Sequence, residues 1–245
     1  EVGTGKIRAL ASRPVFDPYA PQQSLNDPDR PLLNRTVQPY PPGDLFKLVI
    51  AAAALESGKF QPETLFYHAQ SGYGLVTLTQ AFAYAVSSVF QEVMAALDRT
   101  ALLTLAEACG LGGGGRLGLP GEGTGCLPGK EGIEGSALVT GEHGVAVTPV
   151  QMAALLQVVA GNGWYYPPSV VEGLQEPGGS RRQTLPETPA PGCPVLSRTT
   201  VAALQKMLAA SVLYGTGRRA QIRQGAAGAG GAIPSGHNGE RPLFH

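Results

Sequence analysis

Residues 40–56 read YPPGDLFKLVIAAAALE, and this stretch decides the fold. Two prolines and a glycine predict a sharp turn, after which Asp44 is placed to cap the N-terminus of a helix. The residues from Leu45 onward are apolar nearly all round, so we expect this helix to be buried. Lys47 is the only charge that follows in its first turns. Because a buried ammonium needs a partner, we expect Lys47 to form a salt bridge with Asp44, one turn away.

The composition is that of a globular protein, since 43% of the 245 residues are hydrophobic and 15% are charged. The chain has 34 glycines and 21 prolines, which predict many loops. Its net charge is zero, so charge gives no reason to expect a nucleic-acid partner. The three cysteines, Cys109, Cys126 and Cys193, lie far apart and indicate neither a metal site nor a disulfide framework. No apolar run reaches the roughly 18 residues of a membrane span.

Capping residues mark most of the predicted helices. Thr77 with Gln80 and Thr148 with Gln151 read as capping boxes, and Asp98 reads as a further N-cap. Helices are predicted after Thr77 and over residues 89–97, 100–109, 149–160 and 201–213. A loose alternation predicts a strand over residues 6–12, and the tail from 224 to 245 fits two strands joined by a turn.

Several segments carry a family resemblance. Residues 4–18 read TGKIRALASRPVFDP, Asn34-Arg35 follows, residues 141–153 read GEHGVAVTPVQMA, and residues 215–217 read GTG. Together with PGDLFK at 42–47, and in this order, they resemble the transpeptidase domain of class B penicillin-binding proteins. The resemblance covers nearly the whole chain.

The fold that this resemblance implies is α+β. It has an antiparallel sheet flanked by helices, together with a mainly helical lobe. We expect residues 1–245 to form one transpeptidase-like domain. We also expect the chain to be a piece of a longer protein, with the family's final strand and helix either beyond His245 or missing.

The activity that the resemblance implies is acyl transfer at a D-Ala–D-Ala amide. A serine hydroxyl is a weak nucleophile, so it needs a base within hydrogen-bond reach and donors for the oxyanion. The family supplies these groups through P-G-S-x-x-K, S-x-N and K-[ST]-G motifs. Here Asp44 stands at the serine position of the first motif, and only Lys47 of the reactive pair remains.

The second and third motifs depart from the family pattern as well. Ala85 occupies the serine position of S-x-N, and Ser87 occupies the asparagine position. In the third motif, Ala229 replaces the lysine, Gly230 replaces the hydroxyl residue, and Gly231 is retained. None of the five lysines in the chain follows a serine by three positions. The resemblance therefore implies a domain whose catalytic residues are not functional.

Other interpretations of these residues are structural. Ser87 and Ser88 are natural helix-start residues whose hydroxyls could cap a helix. Asp44 as a nucleophile would form a mixed anhydride, which is less stable than the amide, so we favour an N-cap paired with Lys47. Trp164-Tyr165-Tyr166 fits core packing better than a glycan-stacking patch. Some further polar residues fit no ligand spacing: His68, His143, His237, Glu122 and Glu142.

We therefore predict a catalytically inactive domain that acts as a scaffold or regulator in cell-wall synthesis. The alternatives are a working D,D-transpeptidase with unconventional residues and a domain kept to position its neighbours. The expected partners are cell-wall synthesis proteins and peptidoglycan, with no nucleic acid and no cofactor. By resemblance the location is the extracytoplasmic face of the bacterial membrane, reached through a segment outside this chain.

Overall fold

A computed structural model describes residues 1–68, 74–113, 117–129, 135–141, 144–171, 173–175, 182–184 and 192–221 of the protein. These residues form seven α-helices: α1 (Lys47–Glu56), α2 (Leu78–Ala83), α3 (Ser87–Ala96), α4 (Arg99–Ala108), α5 (Gly135–Thr140), α6 (Pro149–Ala160) and α7 (Arg198–Leu213). Short 3-10 helices cover Pro21–Ser24, Arg35–Val37, Gly43–Phe46 and Arg218–Ala220.

The strands in the described residues are short and pair in antiparallel fashion. They are β1 (Leu65–His68), β2 (Gly74–Thr77), β3 (Trp164–Tyr165), β4 (Gly173–Gln175), β5 (Arg182–Thr184) and β6 (Cys193–Pro194). They form two-stranded sheets, β1 with β2, β3 with β6 and β4 with β5. Helices combined with small antiparallel sheets confirm the predicted α+β class.

Helix α1 lies at the centre of the hydrophobic core, as its apolar sequence predicts. All its residues from Lys47 to Ala54 are buried, and the helix packs against α3, α4 and α7. The side chains of Leu48 and Ile50 on this helix, and of Phe90 on α3, are fully enclosed. The N-terminus of α1 is therefore held in a fixed position among its neighbours.

The predicted N-cap of this helix is wrong. A 3-10 helix, Gly43–Phe46, precedes α1 and already begins before Asp44, because the N–H of Leu45 donates to the carbonyl of Pro42. Asp44 therefore lies inside the first turn, and its side chain caps neither this turn nor α1. Its carboxylate still lies at the positive end of the helix dipole.

The other predicted caps are confirmed. Thr77 with Gln80 and Thr148 with Gln151 form complete capping boxes, and the Asp98 side chain accepts from the N–H of Thr100. The helix predicted over residues 201–213 begins earlier, at Arg198, because the Ser197 hydroxyl accepts from the N–H of Thr200.

The strand predicted over residues 6–12 is wrong. Lys6 forms a single parallel bridge with Ser169, after which the segment leaves this neighbour. The Ser12 hydroxyl instead donates to the carbonyl of Leu33 and accepts from the N–H of Arg35, each at 3.1 Å. The two strands predicted in the tail lie outside the described residues.

Burial distinguishes the three cysteines. Cys109 is buried, whereas Cys126 and Cys193 are exposed. Burial, and to a lesser degree the nearby Cys193, raises the pKa of the Cys109 thiol to about 12. Among the described residues, no helix is long and apolar enough to cross a membrane.

The capping box of α6 gives a test of this local structure. Thr148 is buried, and its hydroxyl accepts from the N–H of Gln151 at 3.1 Å. We expect Thr148→Ala to lower the free energy of unfolding by about 1 kcal/mol in urea denaturation, since one N–H of the helix loses its acceptor. The control is Thr104→Ala on the exposed side of α4, expected to change stability by less than about 0.5 kcal/mol. Equal effects of the two substitutions would contradict the capping role.

Candidate active site

A close contact between two glycines positions the N-terminus of α1. The N–H of Gly43 donates to the carbonyl of Gly141 at 3.3 Å. Gly141 has φ +61°, and a Cβ at this position would lie 2.4 Å from the Gly43 carbonyl oxygen. Only glycine fits there without displacing the backbone. The retained Gly141 of the GEHG segment therefore fixes the turn that carries Asp44.

Lys47 is the most deeply buried charge of the site. Its side chain is 2% exposed, and its Nζ lies 6.0 Å from the ring centroid of Phe90. Nζ donates to a carboxylate oxygen of Asp44, to Ser87 Oγ at 2.9 Å and to the Ala85 carbonyl at 3.1 Å. A lysine ammonium has three N–H donors and no acceptor. All three donors are thus used inside the protein.

The predicted salt bridge between Asp44 and Lys47 is confirmed. The two side chains form an ion pair three residues apart along the chain. Asp44 is 25% exposed, so its carboxylate lies between the buried ammonium and solvent. The pair brings together the two positions at which the resemblance places the nucleophile and its lysine.

Ala85 occupies a tight turn between α2 and α3. Its φ is +55°, in the left-handed region that residues with a Cβ rarely adopt. Two backbone hydrogen bonds close the turn. The N–H of Ala85 donates to the Phe82 carbonyl at 3.1 Å, and the N–H of Val86 donates to the Ala81 carbonyl at 2.9 Å. This conformation aims the Ala85 carbonyl at Lys47, while its methyl group offers no proton relay.

Ser87 begins α3 as predicted, but the capping role expected of its hydroxyl is wrong. The N-cap of α3 is Val86, and no side chain caps this end. The Ser87 hydroxyl accepts a hydrogen bond from Lys47 instead. Ser87 and Lys47 lie 40 residues apart in the chain, so spacing alone could not reveal their contact.

The GTG segment packs against this same turn, which the sequence did not predict. The N–H of Thr216 donates to the Ala83 carbonyl at 2.9 Å, and a Cβ on Gly215 would lie 2.1 Å from that oxygen. The ring centroids of Tyr84 and Tyr214 lie 5.7 Å apart. Burial, and secondarily Tyr84, raises the pKa of Tyr214.

Only some of the remaining candidate residues from the sequence lie within the part of the chain that the structure describes. Ala229, Gly230, Gly231, His143, His237 and Glu142 lie outside the described residues, as does the side chain of His68. Tyr165 is buried, as core packing predicts, but its neighbour Trp164 is 42% exposed. The Glu122 carboxylate accepts hydrogen bonds from the N–H groups of Leu117 and Gly118.

The chemistry open to the described part of the site is limited by these contacts. An acyl-transfer serine needs a neighbouring base with an available lone pair. In the observed geometry Lys47 donates through every N–H bond, and the Ser87 hydroxyl accepts from this ammonium. Within the described ranges, no three His, Cys, Asp or Glu side chains are grouped so that they could hold a metal ion.

The ion pair can be tested with a double-mutant cycle. Asp44→Asn leaves the buried Lys47 ammonium with neutral acceptors only. We expect it to lower the free energy of unfolding by roughly 2 kcal/mol, less than the loss of about 3–5 kcal/mol for a fully buried pair, because Asp44 is partly exposed. Combined with Lys47→Met, the same substitution should do much less harm, giving a coupling energy of about 1 kcal/mol or more.

Urea denaturation of the four proteins measures this coupling. The matched control is the exposed ion pair of Glu1 and Arg8, for which Glu1→Gln and Arg8→Met should show weaker coupling. Additive effects of the substitutions at 44 and 47 would contradict a structural role for the ion pair.

The left-handed turn gives a second test. We expect Ala85→Gly to raise the free energy of unfolding by about 0.5–1 kcal/mol, since glycine adopts this φ without steric strain. Ala101→Gly, on the exposed side of α4, is the control and should destabilise by up to about 1 kcal/mol. The account of the turn fails if both substitutions lower the melting temperature alike.

Comparison with known proteins agrees with this architecture. Residues 1–233 match the family model of the penicillin-binding protein transpeptidase domain. The chain is 31% identical to penicillin-binding protein PbpB of Mycolicibacterium smegmatis, with 89% of this chain and 37% of PbpB covered. It therefore spans little more than a third of the length of this curated relative.

Solved structures give the same result. The crystal structure of PBPA from Mycobacterium tuberculosis is similar with a TM-score of 0.72 and 25% identity, covering 85% of this chain and 54% of that one. A chain in a structure of a peptidoglycan synthase complex that coordinates polymerization and crosslinking matches with a TM-score of 0.66 and 28% identity, covering 89% of this chain and 42% of that one. The chain belongs to the family of penicillin-binding protein transpeptidase domains.

Proposed function

We propose that this chain is a class B transpeptidase domain that does not form an acyl-enzyme and that serves peptidoglycan synthesis as a scaffold or regulator. The observation that carries the proposal is the bonding of Lys47. Its ammonium donates to Asp44, Ala85 and Ser87 and is 2% exposed. With its three partners all inside the protein, the ammonium has no N–H left for a substrate.

Asp44 is a poor replacement for the serine. Attack of a carboxylate on an amide would give a mixed anhydride, which is a better acylating agent than the amide itself. The equilibrium would therefore run back to the substrate. The ion pair with Lys47 further lowers the nucleophilicity of this carboxylate, because it stabilises the negative charge.

Ser87 is a hydroxyl at the site, but it has no base. Its Oγ accepts from Lys47, which withdraws electron density from the oxygen instead of removing its proton. Ala85 occupies the position at which the family has a proton-relaying serine, and its methyl group cannot relay a proton. Loss of the nucleophile alone reduces serine acyl transfer by on the order of a million-fold, and here the base is committed elsewhere as well.

The sequence of the third motif supports the same conclusion. Ala229 and Gly230 supply neither a cation nor a hydroxyl at the positions where the family has both. A serine-to-aspartate change alone could be a deliberate knock-out. Changes at three separated motifs are more consistent with natural loss of catalytic selection.

We infer that the partners are other cell-wall synthesis proteins and peptidoglycan bound without a covalent bond, on the extracytoplasmic side of the membrane. The similarity to a chain of a peptidoglycan synthase complex supports a role within an assembly. A pull-down from source membranes with this domain as bait tests this inference. Recovery of cell-wall synthesis proteins supports a scaffold, and failure to recover any would favour a spacer between neighbouring domains.

Acylation is tested by incubation with a fluorescent penicillin followed by denaturing gel electrophoresis. We expect no labelled band for the natural chain or for Asp44→Ser, because restoring the serine leaves Ala85, Ser87 and the third motif unchanged. A catalytically active penicillin-binding protein is the positive control. Circular dichroism checks that Asp44→Ser is folded, since the substitution removes the partner of a buried charge.

The natural chain and the Asp44→Ser variant test different parts of the proposal. Labelling of the natural chain would show that it acylates and would end the proposal of an inactive domain. Labelling of Asp44→Ser alone would show that the family residues missing from the second and third motifs are dispensable, leaving Asp44 as the sole cause of inactivity.

A further inference from the structure

We draw no further inference here: the strongest candidate, the cavity of about 260 Å³ between α6 and the N-terminal segment of residues 5–10, beside which the amide atoms of Gln157 have no hydrogen-bond partner, carries nothing because those amide atoms are closed off from the cavity and nothing in the structure shows what fills it.

Discussion

A buried ammonium must find an acceptor for each of its N–H bonds, and the first turn of α1 satisfies this demand for Lys47. Unpaired, the charge would be too costly to keep within the core. Asp44 supplies the charged acceptor from one turn away, and the α2–α3 turn supplies two neutral ones through Ala85 and Ser87. The position of that turn and the left-handed conformation of Ala85 are both consistent with this requirement. Helix α1 and the α2–α3 turn are thereby joined at one polar point inside an apolar core.

The same geometry bears on function. In the family pattern, lysine stands three residues after a serine and acts on its hydroxyl. Here a carboxylate stands at the serine position and forms a salt bridge with Lys47. Catalytic residues often reduce stability, because they hold charge or strain in a fixed place. A satisfied ion pair at these positions supports the proposal that the domain acts through binding and not through acylation.

Sequence reasoning predicted most of the features that depend on local spacing, with the N-cap role of Asp44 as an exception. The Asp44–Lys47 pair follows from an i,i+3 separation at a helix start, and the capping boxes follow from residues three apart. It failed where distant segments compete for the same groups. The Ser87 hydroxyl bonds Lys47 across 40 residues instead of capping α3, and Ser12 bonds the Leu33–Arg35 backbone instead of extending a strand. The packing of Gly215 and Thr216 on Ala83 is likewise a tertiary contact that no local pattern encodes.

The most direct test is to observe the Lys47 ammonium by ¹⁵N NMR of the lysine side chains. If its three N–H bonds are all engaged inside the protein, the side-chain protons of Lys47 should exchange slowly with water and give a persistent signal. The exposed Lys206 on α7 should exchange too fast for its signal to persist. Lys47 protons that exchange as fast as those of Lys206 would contradict the account, because the lysine would then be open to solvent and available for chemistry.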